Sequence, residues 1–114
     1  MVNVCSSLRP RVWVEIFNKA NDHRDLTIHC WSKDDDLHFH VLKYDQMYQF
    51  TFRPNIWGTT KFHCDVVFGD GFRRRYMAYK FGRDKGCRHC VWHLNENQAC
   101  KLSRGDWICI DYTE

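Results

Sequence analysis

The sequence predicts an all-β fold: an antiparallel β-sandwich of about seven to nine short strands, stapled by disulfides. Three observations carry this. Apolar and polar residues alternate with a period of two through most of the chain, the mark of strands with one buried face. Clusters of Asn, Asp, Gly and Pro interrupt the alternation at spacings of roughly 8–12 residues, as in antiparallel sandwiches and barrels. Seven cysteines are spread through 114 residues, each in or beside an aromatic, β-branched stretch. Small secreted domains use that density to supplement a modest core.

The elements follow from the alternation. In 11–17, Val12, Val14 and Ile16 share a face; in 25–31, Leu26, Ile28 and Cys30 do; in 37–42, Leu37, Phe39 and Val41 do. Tyr48, Phe50 and Phe52 repeat the pattern, as do Phe62, Cys64, Val66 and Phe68. Residues 73–81 form an aromatic run with Met77, Tyr79 and Phe81 on one side, and Cys90, Trp92 and Leu94, then Ile108 and Ile110, complete the set. Turn residues separate these runs: Asn21-Asp22, Lys33 to Asp36, Pro54-Asn55, Gly69-Asp70-Gly71, Asp84-Lys85-Gly86 and Asn95 to Asn97. No segment shows a 3.6-residue period, so no helix is expected.

The length fits one domain, read as an N-terminal extension over 1–10 and a single β-domain over 11–114. An apolar content of 44% excludes a disordered chain, and no apolar run approaches the ~18 residues of a membrane span. Residues 1–8 have neither the charged nor the apolar part of a signal peptide. The cysteine density nonetheless favours a secreted, extracellular protein whose signal peptide has been replaced by an initiator methionine.

Net charge is +3, unevenly placed. Between residues 70 and 90, Arg73, Arg74, Arg75, Lys80, Arg83, Lys85 and Arg88 face only Asp70 and Asp84, while 1–69 balances. Such a region can steer an acidic partner, although solvated strands and loops are basic too.

Parity places Cys30, Cys64 and Cys90 on inward faces, where a bridge across the sheets would lie, and Cys109 on the opposite face from Ile108 and Ile110. The odd count leaves one thiol over, and Cys5 is the candidate for a free or interchain thiol. Cys87-x-x-Cys90 invites a zinc or redox reading, but no second evenly spaced pair accompanies it, so a disulfide framework is expected in place of a metal. Asp34, Asp35 and Asp36 lack the alternate spacing and glycine of a calcium loop and read as a solvated hairpin turn. No cofactor is implied.

Three motifs carry a resemblance. His29-Cys30-x-Ser32-Lys33-Asp34-Asp35-Asp36-Leu37, then Asn55-x-Trp57-Gly58-x-Thr60-x-Phe62-x-Cys64, then Cys87-x-x-Cys90-x-Trp92 are similar to the plant self-incompatibility protein S1 family, across residues 11–112. The resemblance implies a small secreted β-sandwich with intramolecular disulfides and no catalytic activity. Its founding members, stigma proteins of poppy, are ligands of a pollen-surface receptor that triggers calcium entry and arrest of incompatible pollen. The chain departs from the family where Gly usually follows D-D-D-L and His38 stands here, where a Trp often follows F-x-C and Phe68 stands, and at Gln98-Ala99-Cys100.

An enzyme is not expected. His29, His89 and His93 offer acid–base chemistry, yet nothing brings them together, and His29, His38 and His40 alternate to outer strand faces. The His-Gly-Leu-Trp-Pro segment of self-incompatibility ribonucleases is absent, as are phosphate loops and nucleophile elbows. Arg73 to Arg75 beside Phe72, Tyr76 and Tyr79 suggests single-stranded nucleic acid, but a pI near 8.5 and the cysteine pattern argue against it.

The expected function is therefore a secreted signalling ligand that binds a cell-surface receptor as a monomer, without nucleic acid or membrane insertion. The alternatives are a family homologue with another extracellular signalling or defence role, or a basic nucleic-acid- or metal-binding module. Recognition is expected in Lys33, Asp34, Asp35 and Asp36, in Asp70, Arg73 and Arg74, and in Arg83 and Lys85. The disulfides are expected among Cys30, Cys64, Cys87, Cys90, Cys100 and Cys109, with Cys64–Cys90 and Cys30–Cys100 favoured.

Overall fold

A computed structural model describes residues 10–113; Cys5 and nearly all of the N-terminal extension lie outside the described residues. The described chain forms β1 (Val12–Asn18), β2 (Leu26–Trp31), β3 (Asp36–Leu42), β4 (Met47–Phe52), β5 (Lys61–Phe68) and β6 (Arg74–Lys80). A single-turn helix α1 (Phe81–Asp84) follows, then β7 (His89–Leu94), β8 (Gln98–Ser103) and β9 (Asp106–Asp111). One sheet has the order β4-β1-β7-β8-β9 and the other β3-β2-β5-β6. The two pack as a sandwich, and every strand pair but one is antiparallel. The exception is β1 with β7, which run parallel from Trp13↔His89 to Asn18↔Leu94. Parallel neighbours need a long crossover, and here the crossover contains the whole second sheet.

Period-two burial governs the central strands. Val12, Val14 and Ile16, then Leu26, Ile28 and Cys30, then Phe62, Cys64, Val66 and Phe68, and Cys90, Trp92 and Leu94 all face the core. Trp92 is fully enclosed, with its Nε1–H donating to the Ala78 carbonyl at 2.9 Å. Burying each such side chain contributes about 1.5–3 kcal/mol.

The edges depart from simple alternation. In β3 a register shift sets two steps of β2 (His29 to Trp31) against three of β3 (Phe39 to Asp36), with His38 in the left-handed region at φ 65°. Phe39 and Val41 consequently face solvent at 71% and 59% exposure, and His40 pairs with Ile28 on the inward side, stacked on Tyr48. Of the expected inward trio, Leu37 packs against the core, whereas Phe39 and Val41 are corrected to the outer face. A second shift between Phe62 and His63 buries Ala78 and Tyr79 in succession and turns Met77 outward. Ile108 is 54% exposed because β9 is the outermost strand of the five-stranded sheet, which faces a four-stranded one.

The disulfides pair Cys30 with Cys64, Cys87 with Cys90 and Cys100 with Cys109. The favoured pairings Cys64–Cys90 and Cys30–Cys100 are overturned. Cys30 and Cys64 are register partners on β2 and β5, with Cα atoms 4.0 Å apart, and Cys100 and Cys109 are partners on β8 and β9 at 3.9 Å. Directly opposed residues already lie within disulfide reach, whereas packed sheets stand ~10 Å apart. None of the three bridges links the two sheets.

Candidate recognition surface

Strand directions sort the connecting segments onto two poles. The β2–β3 turn, the β4–β5 loop, α1 with the turn after it and the β8–β9 turn lie at one; the β1–β2, β3–β4, β5–β6 and β7–β8 connections lie at the other. The first pole carries Lys33, Arg53, Lys61, Lys80, Arg83, Lys85, Arg88 and Arg104 against Asp34, Asp35, Asp36, Asp84 and Asp106, a basic excess. At the second, Asp22, Asp25, Asp45, Asp70 and Glu96 slightly outnumber Lys19, Arg24, Lys43 and Arg73. The expected recognition residues are therefore divided: 33–36 and 83–88 share the basic pole, and 69–74 sits at the opposite end.

The acidic turn is closed by Ser32, whose amide donates to the Asp35 carbonyl at 2.8 Å while its hydroxyl accepts from the Asp35 amide at 3.1 Å. Lys33, Asp34 and Asp35 stay exposed. Asp36 is exposed as well but is engaged: its Oδ1 accepts from the His38 amide and lies 2.7 Å from His29 Nε2. The His38 amide, and then the His29 ring, hold its carboxyl below the usual carboxylate range. Beside this turn an open cleft of about 470 Å³ reaches onto the outer face of β2 and β5. Its floor is a polar–aromatic ladder in which Arg75 donates to Asp65 at 2.7 and 3.3 Å and lies 4.9 Å from the Trp31 ring centre. Trp31 in turn stacks on His63, and His29 leans on Phe39. Burial, then Arg75 and Lys61, push the His63 pKa down.

Arg73 also reaches Asp65, at 3.6 Å, whereas Arg74 pairs with Val66 and points to the other side of the strand. The three arginines are therefore not one patch. In the loop before them, Asp70 is exposed and Phe72 is 87% exposed. Gly69 has φ 59°, and a Cβ there would stand 3.0 Å from Arg24 Cδ.

In the 83–88 segment Arg83 is exposed but also has a structural role: it donates to Asp84 and to the Met77 carbonyl and packs 5.2 Å from the Trp92 ring centre. Asp84 is 1% exposed and also accepts from Lys101 Nζ at 2.5 Å and the Lys80 amide at 2.9 Å. Burial alone would raise its carboxyl, but these donors outweigh burial and hold it below 3.8. Lys85 and Arg88 project outward.

No side chains assemble a catalytic group from the histidines singled out: His29 lies on the outer face of one sheet, and His89 and His93 on the outer face of the other, beside Trp13 and Trp107. Among the described residues no cluster of three His, Cys, Asp or Glu is placed to hold a metal ion. One structural residue and an exposed apolar pair were not singled out by the sequence reading. Buried Asn18 donates to the Arg24 and Leu42 carbonyls and accepts from the Ala20 amide, tying β1 to the β1–β2 connection and to β3 at the second pole. Ile56, not singled out, and Trp57, read only as a residue of the family motif, are 67% and 78% exposed at the basic pole. Their signal was a tryptophan set inside Asn55-x-Trp57-Gly58, beyond the point where alternation stops at Pro54.

Comparison with known proteins places this surface in context. The family model described as plant self-incompatibility protein S1 matches residues 13–110. S-protein homolog 5 of Arabidopsis thaliana is 40% identical over 80 residues, covering 69% of this chain and 62% of that protein. Self-incompatibility protein S1 of Papaver rhoeas is 30% identical over 95 residues, covering 81% of this chain and 68% of that one. A solved structure of an SPH (self-incompatibility protein homologue), from a family described as small, highly stable, secreted plant proteins, superposes with a TM-score of 0.71. It is 14% identical and covers 96% of this chain and 100% of its own.

Proposed function

The chain belongs to the plant self-incompatibility protein S1 family, and from that premise we propose that it is a secreted extracellular ligand that acts by binding a cell-surface receptor on pollen. Receptor engagement would raise calcium in incompatible pollen and arrest its growth. The observation that carries this reading is the division of labour in the molecule: a stapled sandwich with charged groups in exposed connections at its poles, Lys33 and Asp34 on one side of the 53–60 loop and Lys85 and Arg88 on the other at the basic one. A rigid scaffold with variable connections suits recognition more than chemistry. Secretion is supported by the description of the solved relative and by disulfides that persist in oxidising surroundings.

The test is to apply the refolded, oxidised protein to growing pollen of matched and unmatched genotype while imaging calcium. Growth arrest and a calcium rise in matched pollen alone are expected. Equal response, or none, in both genotypes removes the self-incompatibility role. One observation favours a second reading, an S-protein homologue with another extracellular signalling or defence role: identity is 40% to the Arabidopsis homologue and 30% to the poppy protein. Saturable binding to vegetative cells but not to pollen would select it.

A further inference from the structure

We infer that the tip of the 53–60 loop and the groove beside it form a docking site for an acidic protein segment that carries one large apolar side chain. This rests on the reading that the protein acts by binding another protein, and it names the site and the chemistry of what enters.

The loop is built to hold its tip still. Asn55 organises it: its side-chain oxygen accepts from the Trp57 and Thr59 amides, both at 3.1 Å, and its amide donates to Thr59 Oγ1 at 2.9 Å. The Asn55 backbone N–H donates to Thr60 Oγ1 at 2.8 Å. Gly58 adopts φ +70°, and a Cβ there would meet the Phe81 ring at 3.2 Å, so loop and helix α1 are in close contact. Asn55, Gly58, Thr60 and Phe62 each have a structural role in this frame. Ile56 and Trp57 have none, since neither joins the core. Two large apolar side chains on a pre-ordered frame lose little conformational freedom on binding, and tryptophan is among the residues enriched at interface hot spots.

Alongside runs a groove of about 530 Å³ lined by Val12, Pro54, Ile56, Tyr79 and Phe81, with Lys85 and Arg88 among its exposed residues. It is apolar within and cationic at its border. Arg53, Lys61, Lys85 and Arg88 have no ion-pair partner among the described residues, so their charge is available to carboxylates outside. The occupant is a protein segment and not an anionic membrane for two reasons. A concave apolar groove accepts a side chain but not a plane of headgroups. On the other side of the loop, Lys33 and Asp34 share a second cleft with Asn55 and Lys61, so acidic groups interrupt the cationic field. A uniform anionic sheet would meet those carboxylates, whereas a segment with its own fixed charge pattern can match them.

The test selects a phage-displayed random dodecapeptide library against the oxidised wild-type protein. Enriched peptides are expected to place Asp or Glu around one large apolar residue and to shift amide resonances of 53–60 and 79–88. Their affinity should fall about tenfold or more in Trp57→Ser and in Lys85→Glu/Arg88→Glu, whose folds are checked by circular dichroism and disulfide content. No enrichment, or enrichment that both variants retain, overturns the site. Trp57-dependent co-sedimentation with phosphatidylcholine–phosphatidylglycerol vesicles in place of peptide enrichment assigns the tip to lipid and also overturns it. The same variants are then scored for saturable, trypsin-sensitive binding to pollen tubes. Binding that they retain overturns the docking site alone; absence of saturable binding by the wild type overturns the ligand reading, while the selected peptides still decide the site.

Discussion

Asp84 shows how a charge in a loop can be structural. A carboxylate removed from water is costly unless it is paired and fully hydrogen-bonded, and here Arg83, Lys101 and the Lys80 amide meet it while α1 closes over it. Asp84→Asn would leave Lys101 and Arg83 facing a neutral amide in a site that is nearly sealed. A loss of about 3 kcal/mol is expected, the cost of breaking a buried pair from one side. The pH dependence has a definite sign. Because the folded carboxyl sits below its ordinary value of 3.8, its contribution is complete above about pH 4 and is lost as pH falls through the folded value. Thermal melts of wild type and Asp84→Asn should thus differ by a constant amount from neutrality to about pH 4 and converge below it. Curves that stay parallel down to pH 2 would show that Asp84 is not the group responsible. In the sequence this residue was one member of a turn, because nothing in Asp84-Lys85-Gly86 reveals that Lys101, on a distant strand, points inward to meet it.

Strands β1, β2, β5 and β7 were legible because each is covered on one face along its whole length, so burial repeats every second residue. β8 was not, since its inward positions are Ala99 and Lys101, the latter serving Asp84, and too little apolar pattern remains. β3 was legible as a strand but not in its facing, because one extra residue at a bulge exchanges inside for outside. The bulge centres on His38, held at φ 65° where the family usually has glycine. A side chain in that region costs about 1 kcal/mol that glycine does not. The expectation is that His38→Gly raises the unfolding free energy by about 0.5–1 kcal/mol, read from chemical denaturation at constant m-value. A destabilised variant would mean that the His38 side chain contributes more than its backbone costs. The Ile56–Trp57 tip illustrates the opposite limit of legibility: strand periodicity says nothing about side chains that point away from every sheet.

At the scale of the whole molecule, two of the bridges fasten neighbouring strands within a sheet, and the sheets are held to each other by the apolar core and by the buried hydrogen bonds of Asn18, Trp92 and Asp84. Cys30–Cys64 closes a sequence separation of 34 residues and Cys100–Cys109 one of 9. On the chain-entropy account the first constrains the unfolded chain by about 4 kcal/mol and the second by about 3 kcal/mol. Their places in the fold widen that gap. Cys30 and Cys64 are fully buried at the centre of the four-stranded sheet, where replacing both sulfurs also leaves a cavity against the core. Cys100 and Cys109 bridge β8 to the outermost strand of the other sheet, on its outer face, where little packing depends on them. Cys30→Ala/Cys64→Ala should therefore lower the melting temperature well beyond Cys100→Ala/Cys109→Ala. In hydrogen exchange, the second pair should lose protection chiefly in β9 and the first throughout β2, β5 and β6. Equal losses, or loss of protection across both sheets from the β8–β9 pair, would mean that the outer hairpin is integral to the cooperative unit and not an extension of it.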